Sequence, residues 1–187
     1  STLGKILAGG YPGGAVTGDK KYMEMLEFKN EPNWSSRRIN HPGTFNANPL
    51  SAAAGNVCLG LILQGKVHPR INRIGRRFKR GLNDVIEDNG ISGLTWGTTD
   101  SIVYFGFGLN EQDLKVSNID EFVNFQKKKE KSLRLTKPLE KAMINRGIHP
   151  MGARFILSIA HSKDDLQLTI EKFDESLKAV RAEGLLK

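Results

Sequence analysis

A run of apolar residues with helical period in the middle of the chain is the feature that most limits its fold. These residues recur at steps of three and four, the spacing of one face of an α-helix, within a predicted helix from about residue 69 to 88. They are Ile71, Ile74, Phe78, Leu82 and Val85. Two alternating segments follow, 94–97 and 102–107, and alternation predicts strands. A helix with one apolar face beside such strands must pack on a sheet, so the sequence predicts an α/β fold.

Further elements are predicted on both sides of this region. The first 18 residues resemble a turn with a glycine-rich strand, and 30–40 resemble a polar connector. Pro49 suits the first turn of a helix, and Ser162 with Asp165 has capping-box spacing before a C-terminal helix. The other predicted elements are helices at 19–26, 48–65, 119–131 and 139–145 and a buried strand at 155–160.

Composition limits the class of protein. With 187 residues and 39% hydrophobic content, the chain can bury a core. Its longest apolar run, 52–63, is interrupted by glycines and an asparagine and is too short to cross a bilayer, so we expect no membrane partner. Cys58 is the only cysteine, which excludes an internal disulfide and favours a cytoplasmic location. The four histidines are scattered, and no metal site is expected.

The charge of the chain is strongly positive, with a net charge of +8 and a pI near 9.6. One cluster of cations lies between residues 66 and 80, and a second lies between 127 and 137. In the first cluster the cations fall opposite the apolar stripe, which predicts a solvated helix face and no nucleic-acid partner. A non-catalytic module that binds polyanions stays open as an alternative, because basic surfaces attract phosphate polymers.

Lys5 is the candidate with the most specific chemistry. It lies on a turn before the glycine-dense stretch Ala8-Gly9-Gly10-Tyr11-Pro12-Gly13-Gly14. A deprotonated lysine amine forms an imine with an aldehyde, and glycines let the backbone approach a flat phosphorylated ligand. Gly43 and Thr44 lie shortly before the predicted helix at residue 48, where backbone amides and a hydroxyl can bind a phosphate oxygen.

Three segments occur in a characteristic order: Thr2-Leu3-Gly4-Lys5-Ile6-Leu7-Ala8-Gly9-Gly10, His41-Pro42-Gly43-Thr44-Phe45-Asn46-Ala47-Asn48-Pro49-Leu50 and Phe155-Ile156-Leu157-Ser158-Ile159-Ala160-His161. Together they resemble the class III aminotransferases, pyridoxal-phosphate (PLP) enzymes of fold type I, and look closest to the glutamate-1-semialdehyde 2,1-aminomutase branch. The resemblance covers the C-terminal part of such an enzyme. It implies that residues 1–66 end the large PLP-binding domain and that 67–187 form the small C-terminal domain.

The resemblance also implies roles for particular residues. Lys5 would be the catalytic Schiff-base lysine, and Gly43 with Thr44 would reach the cofactor phosphate of the neighbouring subunit, so the active site would be shared in a homodimer. The chain would lack the N-terminal half of that site. Arg154 is a candidate for the substrate carboxylate, because its planar guanidinium matches that group.

The expected activity is transfer of an amino group between small amino and keto substrates that the sequence does not identify. The aminomutase branch is the alternative. Its members carry a longer segment with a glutamate before the third motif, whereas this chain has the short, acid-free stretch 149–155. That difference favours the aminotransferase.

Overall fold

The computed structural model describes residues 1–97 and 99–186. They form two compact units, Ser1–Val67 and His68–Lys187. Each unit combines helices with antiparallel strands. The predicted α/β class is confirmed.

The first unit opens with two short paired strands. β1 (Thr2–Gly4) and β2 (Gly14–Val16) run antiparallel, with Leu3 opposite Ala15. A 3-10 turn at Lys5–Ala8 leaves β1, and Gly9 ends it with a φ of 61°. The sequence predicted a turn and one glycine-rich strand, whereas the structure has two short strands with the glycine-rich residues between them in turns, because those glycines adopt backbone angles that reverse the chain.

Three helices follow in the first unit. They are α1 (Lys20–Met23), which continues into a 3-10 turn at Glu24–Leu26, α2 (Trp34–Arg37) and α3 (Pro49–Leu63). The side chain of Asn48 accepts a hydrogen bond from the Ser51 amide, and Pro49 occupies the first turn, so α3 begins where the sequence predicts.

The single turn of α2 was not predicted, because residues 30–40 have the composition of a connector. Trp34 explains it. Its ring is buried, its Nε1 donates a hydrogen bond to the Glu27 carbonyl oxygen at 2.8 Å, and the Lys29 ammonium lies 4.6 Å from the ring centre. Burial of this one aromatic side chain folds a polar segment over it.

The second unit places helices around one three-stranded sheet of order β3-β4-β5, antiparallel throughout. Its strands are β3 (Gly93–Trp96), β4 (Ile102–Phe107) and β5 (Arg154–Ile156). Its helices are α4 (Val67–Asp88), α5 (Ile119–Ile144) and α6 (Lys163–Ala182), with a 3-10 turn at Glu111–Leu114.

The core of this unit is aromatic at its centre. The Phe105 ring lies 5.5 Å from Phe155 and 5.6 Å from Phe173, and Phe78 meets Phe155 edge to face at 5.1 Å. All four side chains are buried. The predicted apolar face of α4 packs here, with Ile71, Phe78 and Leu82 buried and Ile74 and Val85 partly buried.

α5 corrects one prediction. The two helices expected at 119–131 and 139–145 are one continuous helix that passes through Pro138. Proline removes one helical hydrogen bond and usually ends a helix. Here Thr136, Leu139 and Met143 are buried against the core on both sides of the proline, so tertiary packing carries the helix across it.

β5 corrects a second prediction. The strand expected at 155–160 spans only Arg154–Ile156, and Ile156 is exposed while Phe155 and Leu157 are buried. The amide of Ser158 donates a hydrogen bond to Nδ1 of His161 at 3.0 Å, which turns the chain before α6. The strand is therefore short, with only one face covered.

The predicted capping box of α6 is confirmed. The Asp165 amide donates to Ser162 Oγ at 3.1 Å, and the Ser162 amide donates to an Asp165 carboxylate oxygen at 2.8 Å. The hydrogen bonds from Ser162 hold the pKa of Asp165 below its ordinary value.

Among residues 1–97 and 99–186, no single helix has both the length and the apolar character that a bilayer crossing needs. The pair α3 and α4, taken together as one bent span, meets that requirement by length and composition only.

Candidate functional site

Lys5 occupies an uncommon backbone position. Its φ is 55°, in the left-handed region that residues other than glycine rarely adopt, and its side chain is exposed at the start of the 3-10 turn. Such a conformation costs about 1–3 kcal/mol and persists only where the surrounding structure imposes it. Asn33 and Ala47 share this region, with φ of 61° and 56°, so the catalytic role of Lys5 stays a prediction.

α3 supplies the surrounding structure for this turn. A Cβ on Gly55 would lie 2.6 Å from the Leu7 carbonyl oxygen, and a Cβ on Gly9 would lie 2.6 Å from the Ala54 carbonyl oxygen. Ser51 Oγ donates a hydrogen bond to the carbonyl oxygen of Pro12. Only small residues allow the helix to approach the turn this closely.

The loop before α3 carries Gly43 and Thr44. Asn46 organises it: its amide donates to the Gly43 carbonyl oxygen at 3.0 Å, and its Nδ2 donates to the His41 carbonyl oxygen at 2.9 Å. Both predicted phosphate ligands are exposed. In the described ranges, no hydrogen bond uses the hydroxyl of Thr44.

The start of α3 differs from the expectation that free backbone amides there help to bind a phosphate. The Ser51 amide in its first turn is already bonded to the Asn48 side chain at 3.1 Å, and the turn 44–47 separates Thr44 from the helix. Gly43 and Thr44 therefore offer a loop amide and a hydroxyl, and the capped amide of Ser51 is not available beside them.

A groove of about 440 Å³ lies in the first unit between the glycine-rich turn, this loop and α3. Its polar lining comes from His41, Asn46, Asn48, Ser51 and Asn56. Neither Lys5 nor Thr44 lines it. Lys5 and Thr44 thus lie in the same unit, each within two residues of a groove-lining residue. Their own side chains do not share a cavity.

Sequence reasoning did not identify Ser51 as a supporting residue. Its hydroxyl links α3 to Pro12, 39 positions earlier in the chain. The sequence does show a run of small residues at 51–55. Such a run predicts that the helix packs closely, but it does not identify the segment on which the helix packs.

Arg154 lies in the second unit, at the first position of β5 opposite Tyr104. Its guanidinium carbon is 6.0 Å from the Tyr104 ring centre, and that ring stacks on Trp96 at 5.6 Å. The Nε atom is buried without a hydrogen-bond partner. A cavity of about 200 Å³ beside it is also lined by Lys129 and Ser132. This buried N–H donor has no acceptor, and a substrate carboxylate can supply one.

Metal ions are bound by sets of ligand side chains that lie close together. Within residues 1–97 and 99–186, no three His, Cys, Asp or Glu side chains lie close enough together to hold a metal ion. The expectation of no metal stays a prediction.

Comparison with curated proteins finds relatives along almost the whole chain. Glutamate-1-semialdehyde 2,1-aminomutase of Methanopyrus kandleri is 30% identical over 182 residues, covering 94% of this chain and 37% of the relative. The enzyme of the same name from Methanococcoides burtonii is 28% identical over 183 residues, with 95% and 38% covered. The chain thus spans less than two fifths of the length of these relatives.

Solved structures share the fold. An omega-transaminase from Sphaerobacter thermophilus superimposes with a TM-score of 0.75 at 22% identity, covering 96% of this chain and 38% of that one. The FumI protein of a Sphingopyxis species, solved in a PLP internal aldimine form, gives 0.73 at 21% identity, with 100% and 38% covered. The fold is that of part of a PLP-dependent transaminase, as the sequence predicted.

The family model for aminotransferase class III matches residues 1–95, just over half of the 187 residues. This segment includes both the Lys5 turn and the loop with Gly43 and Thr44. The chain belongs to the class III aminotransferase family.

Proposed function

We propose that this chain is the C-terminal part of a PLP-dependent aminotransferase in which Lys5 binds the cofactor covalently. The observation that carries the proposal is the Lys5 turn itself. It is an exposed lysine in a left-handed conformation, supported from behind by α3, within the segment that the family model matches.

The residues present fit PLP. No acidic side chain in the described ranges forms an ion pair with Lys5, so no carboxylate stands between its Nζ and an approaching aldehyde. Thr44 presents an uncommitted hydroxyl, the kind of donor that a phosphate oxygen accepts from. When bound, PLP supplies an electron sink for charge that develops on the substrate carbon.

Each residue then has a defined task. Lys5 would hold the cofactor through the aldehyde group, and its Nζ, when not engaged in that bond, would act as the base that takes a proton from the substrate carbon and returns it. Gly43 and Thr44 bind the phosphate of the cofactor in the other subunit of a homodimer. Arg154 receives the substrate carboxylate through two parallel hydrogen bonds.

The two compact units have different roles in this proposal. Residues 1–66 complete the large PLP-binding domain, and 67–187 form the small C-terminal domain. The division of the chain at Val67 supports this assignment. The substrates are a small amino donor and a small keto acceptor.

The aminomutase is the second candidate, and the identity of about 30% to named aminomutases favours it. The acid-free segment before Arg154 favours the transaminase. Incubation of the full-length enzyme with glutamate semialdehyde, beside a panel of amino donors and keto acids, separates the two reactions. Isomerisation without any exchange of amino groups between donors and acceptors would assign the aminomutase.

The central test is Lys5→Ala in the full-length enzyme. It removes the visible absorbance of lysine-bound PLP and abolishes turnover, because alanine has no amine for the aldehyde. Lys20→Ala is the matched control, since Lys20 is an exposed lysine with a weak ion pair to Glu24 at 3.5 Å. A Lys5→Ala enzyme that keeps the absorbance and turns over at the normal rate would exclude the assignment.

A further inference from the structure

α4 carries a row of arginines on its solvent side. Arg70, Arg73, Arg77 and Arg80 follow at steps of three, four and three, so they share one stripe of the helix about 15 Å long. All four are exposed. This arginine stripe lies opposite the face that packs in the core.

The stripe differs from the other cations of α4 in having no partner. Arg76 and Lys79 both bind Asp100, at 3.0 and 2.7 Å. Among the ion pairs and side-chain hydrogen bonds of residues 1–97 and 99–186, none involves an arginine of the stripe. Four like charges therefore lie along one face, and Asp84, one helical turn after Arg80, is the acidic residue on that face, with no ion pair to the stripe among the described residues.

Helix stability does not account for this arrangement. α4 has no acidic residue in its first turn and no basic residue in its last, where Glu87 and Asp88 lie instead. That order opposes the helix dipole. α5 has the favourable order, with Asp120 and Glu121 in its first turn and Lys141 in its last. The dipole acts within the first and last turns, so within the stripe it bears on Arg70 alone and gives the other three arginines no stabilisation.

The surroundings of the stripe indicate what it recognises. Within α4 itself, Val67–Asp88, no large apolar side chain is exposed. Protein interfaces are anchored by buried aromatic and apolar side chains, and amphipathic helices bind membranes by inserting their apolar face. α4 offers no such anchor, and its apolar face is buried in the core. A polymer that is bound through charge alone fits best.

We propose that the arginine stripe of α4 is a binding surface for the phosphodiester backbone of nucleic acid, independent of base sequence. Guanidinium groups match phosphate geometry, and nucleic-acid backbones are bound through charge neutralisation without apolar anchors. This surface goes beyond the proposed transferase activity. The proposal departs from the sequence-based expectation of a solvated helix face with no nucleic-acid partner. That expectation rested on the periodicity of α4 and did not take the order of charge along the helix into account.

The test is binding of the full-length protein to a fluorescent duplex of random sequence, measured by anisotropy between about 50 and 200 mM salt. Four phosphate contacts give a slope of log association constant against log salt of roughly −3 to −4. Arg73→Gln, Arg77→Gln and Arg80→Gln together reduce the size of that slope by about 3. The same three positions changed to lysine retain most of it.

The matched control removes equal charge from α5 through Lys127→Gln, Lys131→Gln and Arg134→Gln, which are also exposed. It changes the slope by less than about one. Circular dichroism shows that both triple variants are folded. Equal losses in the two glutamine variants, or no duplex binding by the wild type at about 50 mM salt, would overturn the proposal. So would equal affinity for polyglutamate or for anionic vesicles, because the stripe would then recognise another class of partner.

Discussion

Ser51 Oγ in the first turn of α3 lies 2.6 Å from the carbonyl oxygen of Pro12, to which it donates a hydrogen bond. Gly55, one helical turn further on, meets the carbonyl oxygen of Leu7. These two residues are the buried positions of a helix whose other apolar side chains are mostly exposed. α3 therefore holds the turn that begins at Lys5 through small residues and one hydroxyl.

Gly55→Ala tests this support. The new methyl group would lie 2.6 Å from a backbone oxygen, which cannot move without shifting the Lys5 turn. We expect a loss of about 1–3 kcal/mol in the free energy of unfolding, measured by denaturant titration.

Gly60→Ala in the same helix is the matched control, since nothing lies within 4 Å of its added Cβ. Alanine is the better helix former, so this variant gains about 0.5–1 kcal/mol. Equal stability of the two variants would show that α3 does not press on the turn.

Thr44→Ala tests the phosphate role. Loss of the hydroxyl removes one donor to a charged oxygen, worth about 1.5–3 kcal/mol, so we expect PLP affinity to fall by about tenfold or more. The measurement is a cofactor titration of the full-length apoenzyme followed by absorbance. Thr44→Ser keeps the hydroxyl and restores the affinity, and unchanged affinity in Thr44→Ala would refute the role.

Arg154→Lys tests the carboxylate role. Lysine keeps the charge but not the paired donors, so KM for a carboxylate substrate rises about tenfold or more while kcat changes little. Amine substrates that lack a carboxylate are the internal control, because their KM stays the same. A similar rise for both kinds of substrate would mean that Arg154 acts through the packing of the Tyr104 and Trp96 rings.

Asp100 makes the stability of the second unit depend on pH. The hydrogen bond from Lys79 holds the pKa of Asp100 below its ordinary value of 3.8, and the charges of Lys79 and Arg76 act in the same direction. A carboxyl with a lowered folded-state pKa stabilises fully above its unfolded pKa, and this contribution is lost as the pH falls through the folded-state pKa.

Asp100→Asn removes this contribution. We expect the variant to be less stable than the wild type at neutral pH and the difference to shrink below about pH 4, measured by denaturant titration across pH. Asp84→Asn is the control, because Asp84 is exposed and has no ion pair among the described residues. A difference that stays constant down to the lowest pH would contradict the role of the ion pair.

Much of the fold follows from local pattern. The period of α4, the alternation of β4, Pro49 in the first turn of α3 and the cap Ser162 act within one or two turns of chain, so the printed sequence displays them directly. The family motifs are likewise continuous segments. Lys5, Gly43 and Thr44 stay predictions as ligands, although their segments lie within the family match.

Local pattern failed where a distant contact decided the outcome. Pro138 indicates a helix end, yet buried Leu139 and Met143 keep α5 continuous. The connector composition of 30–40 hides the turn that Trp34 folds by burying its ring. In both cases the energy of packing exceeds the local preference of the backbone.

The sequence by itself determined most of the helices and strands of the second unit, the family and the residues with suitable chemistry, because each depends on neighbours along the chain. The tertiary structure alone decided the left-handed backbone of Lys5, its support by Ser51 and Gly55, and the unpartnered Nε of Arg154. These depend on atoms brought together from remote positions. Close packing and hydrogen bonding act through space, and no sequence period encodes them.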